Sequence, residues 1–232
     1  PQAWQGKPVS LVFEGVYQTA LVYLNGWLLT RNVNGYAEFT VEAGPYLKYG
    51  ADNLLKVIAD NSLEPNSRWY TGSGIYRPVR LLVGNKVYLP QDTVRITTRE
   101  VGEGFALLDV TAQVQSASTV TERVTLQQTI CRKGTAVLTD RQNLLLQPGE
   151  SRTVSFRYCV DSPALWSPEN PNLYTSTMQV LEGEEELDRE ETRFGIRTLS
   201  IDAAHGVRIN GQTVKLRGAC IHHDNGILGA AT

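Results

Sequence analysis

The chain has 232 residues, of which 41% are hydrophobic and 20% charged, and its formal net charge is −2. This composition is typical of a globular protein with one or two domains. It argues against a nucleic-acid partner, which requires a clustered excess of Lys and Arg. It also argues against a membrane partner, because no apolar run approaches the roughly 20 residues of a spanning helix.

The first part of the chain has the two-residue periodicity of half-buried strands. Val9, Leu11 and Phe13 share one face of the first strand. Asn25-Gly26 predicts a tight hairpin, because both residue types accept the positive φ angles that a two-residue turn requires. Further strands are expected at residues 36–41, 53–59 and 76–83.

A glycine-containing turn follows a long polar connection and lies among aromatic residues, in the stretch RWYTGSGIYR at 68–77. Its glycines permit backbone angles that other residues avoid, which indicates a shaped loop. Flat aromatic rings and an arginine beside such a loop suit the recognition of a sugar ring. Arg68 and Trp69 are therefore candidate substrate-binding residues, and the alternative interpretation is a hairpin connection with a packed Trp.

The second part of the chain, from about Tyr88, predicts a β-sandwich. Four apolar residues share one face of its first clear strand: Leu108, Val110, Ala112 and Val114. The strand at 120–130 has polar residues on one face, as in a sheet with one solvated side, and apolar residues on the other, namely Val120, Val124, Leu126 and Ile130. Strands at 136–146, 153–159 and 173–181 continue this spacing.

A third segment begins near Phe194 and contains a tight hairpin at Gly211-Gln212. The chain then passes from an apolar strand into a polar loop that contains His222, His223, Asp224 and Asn225. Imidazoles, a carboxylate and an amide at the end of a strand are able to hydrogen-bond sugar hydroxyls. An ordinary polar surface loop is the alternative.

No metal or cofactor is predicted. A zinc site needs three or four converging ligands, and His205 is the only histidine outside the polar loop. The acidic run at 183–186 is interpreted as a solvated hairpin turn, because consecutive carboxylates diverge. The three cysteines are too widely spaced for a disulfide framework and are interpreted as free, mostly buried thiols: Cys131, Cys159 and Cys220.

Motifs along nearly the whole chain occur in a defined order. They are Phe13-Glu14-Gly15-Val16, Leu24-Asn25-Gly26, Gly35-Tyr36, Asp60-Asn61, the stretch 65–77, LWSPENPNLY at 165–174, Phe194-Gly195-Ile196-Arg197, Asn210-Gly211 and KLRG at 215–218. In this order and spacing they resemble the N-terminal portion of glycoside hydrolase family 2, which contains β-galactosidases, β-glucuronidases and β-mannosidases.

The resemblance implies an all-β stretch with three parts. Residues 1–88 are expected to form a sugar-binding jelly-roll β-sandwich that lacks its N-terminal strands, and residues 89–196 an immunoglobulin-like β-sandwich. Residues 197–232 are expected to begin a catalytic (β/α)8 barrel, truncated after its first strand.

The resemblance also implies that the full-length protein is a retaining exo-β-glycosidase in carbohydrate catabolism, with a β-galactoside as the first choice of substrate. The two catalytic glutamates of the family lie on later barrel strands, so both are expected beyond Thr232, and the stretch 1–232 alone is expected to be inactive. This stretch then supplies scaffold and part of the substrate rim. A non-catalytic carbohydrate-binding module is the alternative, and a structural adhesion domain ranks behind it.

The resemblance assigns the rim residue by residue. His222 matches the family histidine that follows the first barrel strand and helps hold the sugar, and Asp224 is expected to accept a hydrogen bond from a galactose hydroxyl. His223 and Asn225 accompany them. Where some relatives carry an acidic residue that touches a cation, this chain has Ser67-Arg68, so no metal is assigned. A carbohydrate is the expected partner, while a homo-oligomer and the choice between periplasm and cytoplasm stay open.

Overall fold

The computed structural model describes residues 1–63, 71–220 and 225–229. These residues form strands and three single-turn 3-10 helices, with no α-helix among them, as the sequence predicted. They divide into two compact units, Pro1–Gly84 with the described residues of the C-terminal segment, and Asn85–Gly218. The division into three domains at residues 88 and 196 stays a prediction.

The first unit contains eight strands in its described residues, all paired in antiparallel fashion. They are β1 Val9–Phe13, β2 Val16–Tyr17, β3 Thr19–Leu24, β4 Trp27–Asn32, β5 Phe39–Glu42, β6 Leu55–Asp60, β7 Gly74–Ile75 and β8 Val79–Val83. The sheet orders are β5-β1-β8, β4-β3-β6 and β2-β7. The 3-10 helices of this unit are Gln2–Trp4, Gly44–Tyr46 and Gly226–Leu228.

The apolar alternation of β1 places its side chains in the core of the first unit. Val9, Leu11 and Phe13 are all buried, which confirms the predicted face, and Phe13 stacks on Phe39 of β5 with ring centroids 5.0 Å apart. Such offset aromatic pairs add specific geometry to hydrophobic burial. The predicted hairpin at Asn25-Gly26 is also confirmed, because β3 and β4 pair across it and both turn residues have positive φ.

The second unit contains the remaining eleven described strands. They are β9 Val87–Tyr88, β10 Arg95–Gly102, β11 Phe105–Ser116, β12 Glu122–Arg132, β13 Thr135–Leu146, β14 Ser151–Asp161, β15 Tyr174–Glu182, β16 Glu185–Phe194, β17 Leu199–Asp202, β18 Gly206–Ile209 and β19 Gln212–Thr213. One main sheet has the order β10-β11-β14, with β9 on β11, and the other β13-β12-β15-β16.

The core of this β-sandwich lies between its two main sheets. The predicted inward face of β11 is confirmed, since Leu108, Val110, Ala112 and Val114 are at most 1% exposed. The predicted inward position of Val120 is wrong, because this residue precedes β12 and is 61% exposed. Polar residues take core-facing places on β12 instead, and Gln128 is fully buried.

The two buried polar side chains of β12, Glu122 and Gln128, each have a polar partner, although Oε1 of Gln128 makes no hydrogen bond. Gln128 Nε2 donates to Ser176 Oγ at 2.8 Å, and Glu122 Oε2 lies 3.0 Å from Lys86 Nζ. Burial of a polar group without such a partner would cost of order 1–3 kcal/mol. The apolar pattern did not reveal these two positions, because a partner on another strand decides whether a polar side chain is tolerated inside.

The cysteines differ from the sequence prediction in their exposure. All three are free, but Cys131 is half-buried and Cys159 and Cys220 are exposed, so "mostly buried" was wrong. Cys159 lies on β14, where alternate residues face solvent, and this alternation determines its exposure.

The final described segment of the second unit is a small sheet of order β17-β18-β19. The predicted hairpin forms, but its turn is Asn210-Gly211, one residue earlier than predicted: both residues have positive φ, and Ile209 pairs with Gln212, where the second arm begins. Residues 214–220 form no strand, so the apolar strand expected before the polar loop is wrong. Within the described residues, no helix has the length and apolar character needed to cross a bilayer.

Candidate functional site

One of the six predicted sugar-contacting residues lies within the described part of the chain. Asn225 is described and exposed. The other five lie outside the described residues: Arg68, Trp69, His222, His223 and Asp224. The structure therefore describes the predicted rim at Asn225, in the loop that follows Trp69, and in the elements that contact these two parts.

Asn225 begins a tight turn that closes on Gly229. Its backbone N–H donates to Gly229 O at 3.0 Å, and its side-chain Nδ2 donates to the same oxygen at 3.3 Å. The turn is closed further by Leu228 N–H, which donates to Asn225 O at 3.2 Å. The carbonyl of Gly229 thus orients the predicted sugar-binding amide.

The Gly229 end of this turn packs against the backbone of the loop that follows Trp69. Gly229 is buried with φ +57°, and a Cβ on it would overlap the carbonyl of Thr71 and lie 2.5 Å from Gly72 N. Thr71 is itself only 4% exposed. A glycine is required here both by the backbone angle and by the close approach.

Asn61, at the end of β6, holds the other side of the same loop. Its Nδ2 lies 2.9 Å from Ser73 Oγ and 3.3 Å from Gly72 O, and it donates to both. The Asp60-Asn61 motif therefore joins β6 to the loop that follows Trp69, and side-chain amides commonly order loops in this way.

Two glycines of the first unit pack closely against tyrosine rings. A Cβ on Gly15 would lie 2.7 Å from Cζ of Tyr76, and a Cβ on Gly35 would meet the ring of Tyr17. The hydroxyl of Tyr76 donates to Gly35 O at 2.8 Å. The motif glycines at 15 and 35 are thus explained by the aromatic residues of the motifs around them.

The Tyr76 side chain is half-buried, and its burial raises the pKa of its hydroxyl, although the Arg77 charge opposes this shift. The Arg77 guanidinium lies 5.4 Å from the ring centroid, within cation–π range. A neutral hydroxyl bonded to a backbone carbonyl orders the loop around it and gives no indication of acid–base chemistry.

The motif residues of the second unit meet around Trp166. Its backbone N–H donates to Ile196 O at 2.8 Å, and the Arg197 guanidinium lies 4.6 Å from its ring centroid. Asn210 Nδ2 donates to Trp166 O at 3.0 Å, and Asn210 Oδ1 accepts from Thr198 N–H at 3.0 Å. Three motifs that are distant in sequence therefore form one junction.

A polar cleft of about 720 Å³ opens beside this junction. Its lining includes Glu169, Asn170, Gln212 and Lys215 and contains no aromatic residue. A sugar ring is usually held by at least one flat apolar surface, so the cleft lacks the stacking platform expected of a sugar site.

The described titratable residues of the second unit do not form a recognisable catalytic pair. Burial, together with the nearby charges of Asp92 and Asp188, raises the pKa of Glu190, but this residue does not line the cleft beside Trp166. Among the described residues, no group of three or more His, Cys, Asp or Glu side chains is arranged to hold a metal ion.

Comparison with known proteins identifies the family. The model for glycosyl hydrolases family 2 matches residues 87–197. A β-galactosidase from Bacteroides ovatus, BoGH2A, is 37% identical over 97% of this chain. The chain belongs to glycoside hydrolase family 2.

Solved structures of the family have the same fold over this chain. A family 2 member from Bacteroides cellulosilyticus superposes with a TM-score of 0.91 at 34% identity over 99% of the chain. A β-glucuronidase from Bacteroides uniformis superposes with a TM-score of 0.92 at 29% identity over the whole chain. The chain spans 27% of the B. ovatus relative and 32% and 29% of these two structures.

Proposed function

We propose that this chain is the front part of a retaining exo-β-glycosidase, in which it supplies scaffold and part of the substrate rim. The single observation that carries the proposal is the 37% identity with a β-galactosidase over 97% of the chain. The loops that follow Trp69 and Asp224 in sequence belong to one compact unit, as two sides of one rim should.

The chemistry of the proposed reaction requires two carboxyl groups about 5 Å apart, one as nucleophile and one as acid/base. We assign both to glutamates outside residues 1–232. The proposed roles inside the chain are binding and orientation: His222 and Asp224 hydrogen-bond sugar hydroxyls, with His223 and Asn225 beside them, and Trp69 offers a stacking surface.

The proposed substrate is a β-galactoside, and a β-glucuronide is the second candidate because a β-glucuronidase shares 29% identity and the fold. The two sugars differ in charge, since a glucuronide carries a carboxylate. A carboxylate is best recognised by a guanidinium, which donates two parallel hydrogen bonds. Arg68 is the proposed rim residue with this chemistry.

The test uses the full-length protein with nitrophenyl β-galactoside and β-glucuronide. We expect turnover of the galactoside with retention of anomeric configuration, and no turnover by residues 1–232 alone. A loss of glucuronide turnover in Arg68→Ala that exceeds the loss of galactoside turnover would favour the second candidate. Absence of turnover of any β-glycoside would refute the enzyme proposal and favour a carbohydrate-binding module.

A further inference from the structure

The contact between Gly229 and Thr71 joins two segments that are far apart in sequence. On one side, Gly229 and the turn it closes directly follow His222-His223-Asp224 in sequence; on the other, Thr71 directly follows the stretch with Arg68 and Trp69. Both Gly229 and Thr71 are buried. The contact is thus an internal one that links the two loops assigned to the proposed rim.

The close approach is between backbones, so neither side has a flexible end that yields. The atoms nearest to a Cβ placed on Gly229 would be the carbonyl of Thr71 and the amide nitrogen of Gly72, the latter at 2.5 Å. From the opposite side, a Cβ on Gly72 would lie 3.4 Å from Leu228 O, in ordinary van der Waals contact, so the overlap is confined to Gly229. Well-packed interiors transmit such overlaps to neighbouring segments instead of absorbing them.

Gly229 also determines the position of a predicted sugar contact. Both the backbone N–H and the side-chain amide of Asn225 donate to its carbonyl. A shift of Gly229 away from Thr71 therefore moves its carbonyl, and with it the amide of Asn225 and the start of the turn.

We propose that Gly229 is a positioning residue of the substrate rim, whose contact with Thr71 and Gly72 fixes the spacing of the two sugar-binding loops. This inference rests on the proposed function, because it assigns the purpose of the contact to substrate binding. Gly229 itself contacts no substrate in this scheme. Its replacement should weaken ground-state binding while the chemical step, which depends on the two glutamates, is retained.

Gly226 provides a matched control within the same turn. Its φ is +61°, close to the +57° of Gly229, but a Cβ on it meets nothing within 4 Å. Gly226→Ala therefore introduces a similarly unfavourable positive φ without the overlap. Gly72 and Gly74 form a second matched pair on the other loop, since both have positive φ and only Gly72 has a neighbour within 4 Å.

The experiment compares these variants in the full-length protein by steady-state kinetics, melting temperature and hydrogen–deuterium exchange. For Gly229→Ala we expect KM to rise at least fivefold with kcat within about twofold, and for Gly226→Ala both values within about twofold of the parent. Exchange should increase together in peptides covering 71–75 and 225–229 in Gly229→Ala alone. If that variant does not fold, Gly72→Val against Gly74→Val makes the comparison from the other loop, because the atoms beyond Cβ at Gly72 would meet the backbone of Leu228 and Gly229.

Equal KM values for the variant and its control would overturn the inference, as would increased exchange confined to one of the two loops. A KM increase that only follows a loss of melting temperature would likewise reduce Gly229 to a structural residue. If the parent protein hydrolyses no β-glycoside, the proposed function fails and the positioning role fails with it, whereas the exchange data still decide whether the two loops are coupled.

Discussion

Replacement of Asn210 tests the junction around Trp166, at the end of the second unit. The Asn210 side chain makes two half-buried hydrogen bonds, to Trp166 O and from Thr198 N–H, both at 3.0 Å. Each such bond contributes about 0.5–1.5 kcal/mol. The residue also has φ +51°, an angle that Asn tolerates and that costs Ala about 1–2 kcal/mol.

We therefore expect Asn210→Ala to lower the local opening free energy by about 2–5 kcal/mol. Asn210→Gly removes the same hydrogen bonds but accepts the backbone angle, so it should recover about 1 kcal/mol relative to Ala. The exposed Asn143 on β13, whose Oδ1 accepts from Thr125 Oγ1, is the control, and Asn143→Ala should stay within about 0.5 kcal/mol of the parent.

Native-state hydrogen exchange measures these values, because it gives an opening free energy for each peptide. The loss should be confined to peptides covering residues 164–172 and 196–213. If Asn210→Gly is as damaging as Asn210→Ala, the backbone-angle argument is wrong. If both variants stay within about 0.5 kcal/mol of the parent, the hydrogen bonds do not hold the junction.

Three further outcomes follow from described contacts. Gln128→Leu and Ser176→Ala should each destabilise the second unit by about 0.5–1.5 kcal/mol in urea unfolding, and the double variant by less than their sum, because either change alone already removes the one hydrogen bond that the two side chains share; strict additivity would contradict this. The raised pKa of Glu190 means that the folded state keeps a proton that the unfolded state releases, so stability falls as pH rises above the ordinary glutamate pKa. Glu190→Gln should therefore raise the melting temperature more at pH 7 than at pH 4. An equal gain at both pH values would refute the argument. Tyr76→Phe should lower the opening free energy of the segment around Gly35 by about 0.5–1.5 kcal/mol in hydrogen exchange, because it removes the hydrogen bond to Gly35 O. Tyr36 is exposed, and Tyr36→Phe is the neutral control in the same measurement.

Local pattern predicted the strands well because a strand requires only that alternate residues face the core. The faces of β1 and β11 and the turn at Asn25-Gly26 all followed from residue type and a two-residue period. Val120 shows the limit of this reasoning, since an apolar residue that continues the alternation is exposed when the ladder begins after it.

The candidate site was predicted less completely. Residue chemistry selected Asn225 as a sugar contact, and motif order assigned the rim, but nothing in the sequence indicated that Gly229 touches Thr71. The signal available was weak: two glycines, Gly226 and Gly229, close to a polar loop. Of these two glycines, only Gly229 would bring a Cβ within 4 Å of another atom, and the atoms it would meet belong to the distant segment at Thr71 and Gly72.

The sequence by itself determined the all-β class, the turns and the family membership, because alternation, turn residues and motif order are properties of the chain read in one dimension. Tertiary structure alone decided which glycines are required by contact, which polar residues are allowed inside, and why Asn210 has two partners. These features depend on the approach of segments distant in sequence, and the free energy of such a contact belongs to the pair of segments together.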